Sequence, residues 1–235
     1  MTLQYPLSYL ALAASCGGVL WITGHTRWWW VGAIASWVGV SFALLALIYF
    51  ANWPALLGKT RRGARWFWAW PLFWPYFLLC ELSYFMARKS GQIVPFAEIV
   101  PGLYVGRKLT PDEAEKTTQE FGIRGVVDLA AEFCEVPLFR EAEYFSLPAL
   151  DAMPPDVERL RQCVIWIDRV RKTGPVYLHC ALGHGRAATA AAAYLVYAGL
   201  AKDANDAIRK VRAARPGVKL SEGQRAAVAA IRRAS

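Results

Sequence analysis

Residues 177–189 read YLHCALGHGRAAT. An apolar run, VYLHC (176–180), ends on His179 and Cys180; five residues with two glycines follow, and Arg186 opens an alanine-rich stretch. This order predicts a buried strand, a tight loop and a helix. Such a turn makes an anion cradle, because loop N–H groups converge and the helix N-terminus adds the positive end of its dipole. Cys180 stands at the base of the cradle, where dipole, amides and a nearby cation all favour the thiolate. Arg186 can turn back and grip two oxygens of a phosphoryl group in a planar fork that lysine cannot reproduce. Gly183 and Gly185 allow the turn and the close approach of backbone to ligand. The candidate substrate-binding residues are therefore Ala181, Leu182, Gly183, His184, Gly185 and Arg186. Cys180 is the candidate nucleophile for phosphoryl transfer, with no metal and no other cofactor called for.

Working outward, residues 91–235 have the composition of an ordinary α/β domain. PGLYVG (101–106), GVVDLA (125–130) and EYFSLPAL (143–150) read as strands. Thr110-Pro111-Asp112-Glu113 opens a helix with a cap, a first-turn proline and acids near the positive end. Pro154-Pro155-Asp156 starts another, carrying Val157, Leu160, Val164, Ile167 and Val170 at helical spacing. The 187–198 stretch is a small-residue helix ended by Gly199, and two more helices are expected over 203–214 and 221–233. Alternating strands and helices predict a central, mostly parallel sheet with helices on both faces.

The first 90 residues differ in kind. They hold seven Lys/Arg and one acid, Glu81, whereas the remainder holds twenty and seventeen; the chain as a whole has eleven tryptophans and a net charge of +9. Basic residues beside apolar runs indicate a membrane surface, and no aromatic-and-basic nucleic-acid signature is present. Residues 7–23 and 28–53 are apolar runs of spanning length, with Trp28, Trp29, Trp30 and Trp53 as interfacial anchors. Residues 66–88 are harder to read, since they carry Pro71, Pro75, Glu81 and four tryptophans. The connector at 54–65, with Lys59, Arg61, Arg62 and Arg65, is expected on the cytoplasmic side. A third span would put the C-terminal domain outside, where a free-thiol enzyme is out of place. An in-plane or re-entrant helix over 66–88 is favoured instead, on proline and tryptophan content suited to headgroup depth. The five cysteines are scattered and odd in number, without the spacing of a disulfide framework or a zinc site.

His179-Cys180-(five residues)-Arg186 resembles the signature of the cysteine-based protein tyrosine phosphatases, and HCxxGxGR is most similar to the dual-specificity branch. The resemblance covers about residues 99–215 and implies the fold described above. It also implies a general acid on a separate loop. Asp151, in LPALDAMPP, has the family's order and spacing before Cys180; by this carry-over it protonates the leaving oxygen and then activates water. Asp156 competes but is explained by helix capping, and Asp128, at a strand end, reads as structural. His179 matches the family histidine that orders the loop. One position departs: many members place Ser or Thr directly after the arginine, and here it is Ala187, so breakdown of a phosphoenzyme is expected to be slow.

The resulting expectation is an integral membrane phosphatase, in a bacterial inner membrane by its alanine- and arginine-rich composition, with the catalytic domain (91–235) cytoplasmic behind a membrane region (1–90). Tethering near headgroups favours a phosphorylated lipid. The loop lacks the lysines of phosphoinositide-directed members, which places phosphatidylglycerophosphate-like substrates ahead of phosphoinositides. A phosphoprotein substrate, as for a tyrosine or dual-specificity phosphatase, and a catalytically weak phosphate-binding module are the alternatives. The basic residues from Lys202 to Arg233, Arg215 among them, read as a solvated helix face ahead of a contact for anionic headgroups.

Overall fold

In the computed structural model, which describes residues 3–91 and 93–234, VYLHC is the middle strand of a five-stranded sheet. The strands are β1 (Phe96–Val100), β2 (Leu103–Arg107), β3 (Gly125–Ala130), β4 (Glu143–Ala149) and β5 (Val176–Cys180), in the order β1-β2-β5-β3-β4. All pairings are parallel except β1 with β2. Every residue of β5 is buried, as a strand covered on both faces must be. The helices are α1 (Gln4–Thr23), α2 (Trp29–Ala51), α3 (Ala69–Lys89), α4 (Pro111–Phe121), α5 (Pro137–Glu141), α6 (Val157–Arg171), α7 (Arg186–Tyr197), α8 (Ala204–Ala214) and α9 (Glu222–Ala229). Val176 and Leu178 pack with residues of α6 to α9 on one face of the sheet. Tyr177, alternating to the other face, meets Ala114 of α4 and Phe139 of α5. The parallel strands β2, β3 and β5 point their carboxyl ends the same way, which is where such sheets place a ligand.

Local signals set the boundaries. Thr110 and Glu113 form a reciprocal capping box at the start of α4, and the Asp156 side chain accepts from the Arg159 N–H at 2.8 Å to cap α6. Three elements depart from the reading of the sequence. β1 is an edge strand that only pairing with β2 defines, α5 is a single short turn of helix, and α9 stops at Ala229.

α1 and α2 form an antiparallel hairpin, each long and apolar enough to cross a bilayer core. Gly32 and Gly39, seven residues apart, let the helices approach: a Cβ added at Gly39 would lie 3.1 Å from the Cys16 Cβ. α3 is kinked at Phe73, just before Pro75. It does not leave the C-terminal domain. Phe73, Tyr76 and Phe77 pack with Ala131, Leu150 and Met153, Tyr84 rests on Phe133, and Arg88 pairs with Glu113 at 3.0 Å. The opposite face of α3 presents Trp70, Trp74, Leu78, Leu82 and Phe85, all exposed.

The connector between α2 and α3 is bolted to the edge of the sheet. Lys59 and Arg65 pair as an antiparallel bridge. The Lys59 ammonium contacts Asp128 and the Ala130 carbonyl, and Arg65 donates to the Glu132 carbonyl at 2.7 Å. The Glu135 N–H donates to the Gly63 carbonyl at 2.9 Å. Two of the four connector cations are thus spent on the fold, and only Arg61 and Arg62 are exposed as the topology argument assumed.

Candidate active site

The loop after β5 is held from outside. The Ala181 carbonyl accepts from the Lys108 N–H at 3.1 Å, and the His184 carbonyl from the Lys219 N–H at 3.0 Å. Between them, the Arg215 guanidinium donates to the Leu182 and Gly183 carbonyls, both at 3.0 Å. In a trans peptide the N–H points opposite to the preceding C=O. Fixing these carbonyls outward therefore turns the N–H groups of residues 182 to 185 toward the inside of the ring. The Gly183 N–H reaches Cys180 Sγ at 3.3 Å. Gly183 has φ of 76°, and a Cβ there would strike the Gly106 carbonyl carbon at 2.4 Å. Gly185 has φ of −115°, so the conformational demand for glycine falls on Gly183. The His184 ring lies over Gly217, in the Pro216-Gly217 turn.

Arg186 opens α7 and is 1% exposed. Its Nη1 and Nη2 bind the two oxygens of Glu132 at 2.7 Å each, and Nη1 also donates to the Ala149 carbonyl at 2.9 Å. Burial opposes its charge, but Glu132 outweighs that and keeps the guanidinium firmly protonated. Its Nε, also buried, has no partner among the described residues. A buried donor left open in this way is a seat for an incoming oxygen.

Of the three aspartates weighed from sequence, only Asp151 meets the guanidinium. Its Oδ1 lies 3.3 Å from Arg186 Nη2, with the side chain 56% exposed. Asp156 caps α6. Asp128 is fully buried beneath the loop and receives Lys59, the Tyr144 hydroxyl at 2.6 Å and the Ala130 N–H at 2.9 Å. His179 contacts Glu135 and lies 4.0 Å from Asp128. Burial disfavours the imidazolium, but Glu135 and then Asp128 outweigh it and raise the His179 pKa above its ordinary value. Burial likewise pushes Asp128 upward, and Lys59 and His179 reverse this to leave it lowered. Asp128, Glu135 and His179 are metal-ligand types with donor atoms within 4.8 Å of one another. Lys59 already occupies Asp128, so a divalent ion would have to expel the lysine.

Thr189, two positions past Ala187, points its hydroxyl back to the Gly185 carbonyl at 3.0 Å, and Ala187 is fully buried. Cys163 is a core residue whose thiol burial pushes up, whereas Cys134 is only half-buried. Sequence reading missed Glu132, Glu135, Lys59 and Arg215 as parts of this site. Two glutamates just beyond the carboxyl end of β3 were a usable signal for the first pair. Lys59 and Arg215 have the sequence surroundings of surface charges, and nothing local marks them otherwise.

A model of the Swiss Army Knife protein DSP-PTPase phosphatase domain matches residues 96–232. The chain belongs to this dual-specificity family of cysteine-based phosphatases. It is by that membership a phosphoric monoester hydrolase, and the match begins beyond α3, leaving α1 to α3 outside the family domain. Among solved structures, this phosphatase resembles PTPMT1 in complex with PI(5)P at 20% identity and a TM-score of 0.53, over 57% of this chain and 91% of that one. Tk-PTP in its active form is 28% identical with a TM-score of 0.50, over 57% and 92%. The human tyrosine phosphatase-like serine/threonine/tyrosine-interacting protein is 20% identical with a TM-score of 0.51, over 57% and 93%.

Proposed function

We propose that this phosphatase is anchored in a membrane and hydrolyses the phosphate monoester of a phospholipid headgroup through a cysteinyl-phosphate. The outward tethering of the carbonyls of residues 181 to 184 carries the reading, because it aims a ring of N–H groups at whatever lies over Cys180. In this scheme Cys180 Sγ attacks phosphorus. The loop amides and Arg186, through its unpartnered Nε, hold the non-bridging oxygens as charge develops. Asp151 gives its proton to the departing alkoxide, and its carboxylate then takes one from the water that displaces the sulfur. His179 acts beneath the loop, where its ion pair with Glu135 fixes the strand end that carries Cys180.

Membrane anchoring is supported by the α1–α2 hairpin and by the exposed apolar stripe of α3. A water-soluble monomer rarely shows so long an apolar face. Because both the connector and α3 are fastened to the catalytic domain, the domain and residues 52–68 share one side of the bilayer. Arg61 and Arg62 support the cytoplasm as that side. Residues 66–88 then lie at headgroup depth, beside the phosphate site, where lipid is presented at high effective concentration. PTPMT1, which was crystallised with PI(5)P, supports a lipid headgroup as occupant. The absence of lysine between Cys180 and Arg186 keeps phosphatidylglycerophosphate-like lipids ahead of phosphoinositides.

Phosphate release by the full-length protein in mixed micelles, against a panel of lipid phosphates and phosphopeptides, tests this. Lipid monoesters are expected to lead, with Cys180→Ser inactive on all of them. Preference for phosphopeptides would replace the lipid reading with a membrane-anchored protein phosphatase.

A further inference from the structure

The candidate general acid sits on a loop that the membrane region builds. Leu150 and Met153, on either side of Asp151, are buried in one cluster with Phe42, Leu45 and Tyr49 of α2 and Tyr76 of α3. Asn52, just past α2, donates through Nδ2 to the Pro154 carbonyl at 3.2 Å. Ala152 is held at φ of 58°, a left-handed conformation that a non-glycine residue keeps only where its surroundings impose it. The carboxylate itself is reached from α1: Tyr5 Oη donates to Asp151 Oδ2 at 3.2 Å, while Oδ1 faces Arg186. Tyr5 is fixed for this task, its ring stacked on Tyr49 at 5.5 Å, and Tyr49 is braced in turn by Tyr9.

From these contacts we infer that Tyr5, in the first turn of the hairpin's first helix, is a positioning residue for Asp151, so that the membrane hairpin supplies a working part of the active site. The inference rests on the reading of Asp151 as the acid. Tyr5 and Arg186 take one carboxyl oxygen each, which fixes the rotation of the group and leaves its exposed edge toward the leaving oxygen. A domain lifted from its hairpin would lose this aim even with Cys180 and Arg186 intact.

The test uses the full-length protein in detergent micelles and two substrates. The phenolate of p-nitrophenyl phosphate departs with little help, whereas the alkoxide of glycerol phosphate needs a proton. Tyr5→Phe is expected to hold kcat/KM for p-nitrophenyl phosphate within about twofold and to lose about tenfold in kcat/KM on glycerol phosphate, as one hydrogen bond to the carboxylate that develops during P–O cleavage implies; kcat/KM reports that first step whatever the rate of phosphoenzyme breakdown. Equal losses on both substrates, or no loss on either, would overturn the role of Tyr5. Asp151→Asn run alongside separates the levels: it should discriminate between the substrates more strongly than Tyr5→Phe does. If Asp151→Asn discriminates and Tyr5→Phe does not, the positioning role alone is wrong. If Asp151→Asn fails to discriminate, the acid assignment falls and the inference with it.

Discussion

Arg186 shows what a single residue must satisfy here. A guanidinium that is almost wholly buried needs a counter-charge, and Glu132 supplies it in a two-pronged pair. Glu132→Gln keeps the shape but removes the charge, leaving a buried cation uncompensated. It should destabilise the fold by about 3 kcal/mol in chemical denaturation and weaken inorganic phosphate as an inhibitor. Ala187 raises a different question. Its buried methyl stands where a hydroxyl serves other family members, and the Thr189 hydroxyl is committed to the Gly185 carbonyl. Rapid-mixing assays should therefore show a burst of alcohol release ahead of a slow steady state. Ala187→Ser should shrink that burst and raise steady-state kcat several-fold.

At the scale of elements, the connector between α2 and α3 and the strand bearing Cys180 meet in one buried ionic cluster. Removing Lys59 as Lys59→Met would strand Asp128 in a site with no solvent and should lower stability by about 3 kcal/mol, read as a fall in Tm. His179 gives the cluster a pH dependence. Its folded-state pKa is raised, so its stabilisation is complete below the unfolded value of about 6.5 and fades as pH climbs through the higher folded value. Asp128, lowered in the fold, behaves oppositely: its stabilisation is present above about pH 3.9 and is lost as pH falls through the lower folded value. Tm measured between about pH 6 and 9 should decline for the parent and flatten for His179→Gln.

For the whole molecule, the decisive relation is between α3 and the domain it lies on. A helix whose Phe73-to-Arg88 face is used up by contacts with the catalytic domain has no freedom to run through a bilayer away from it. Reporter fusions at the C-terminus and within the connector should therefore report the same side of the membrane, the cytoplasmic one. A reporter in the turn at 24–28 should report the other. Agreement between the connector and the C-terminus is the part fixed by packing, and a C-terminal reporter found on the side opposite the connector would mean that α3 had been pulled off the domain.

The sequence by itself determined four of the five strands and the strand–loop–helix turn that carries Cys180 and Arg186. These follow from local causes: apolar runs that need two covered faces, glycine where φ is positive, caps whose acceptors lie three residues from their donors. It also marked two spans by length and composition. Only the tertiary structure decided that Glu132 holds Arg186, that Lys59 neutralises Asp128 and that Tyr5 reaches Asp151. Each of these joins residues separated by more than fifty positions, and a charged or hydroxyl side chain has no periodicity to announce its partner. Lys59 looks like a membrane-flanking cation until the fold presents it with a buried carboxylate. Pairing across such distances depends on where the whole chain closes, so it is written in no single stretch of the sequence.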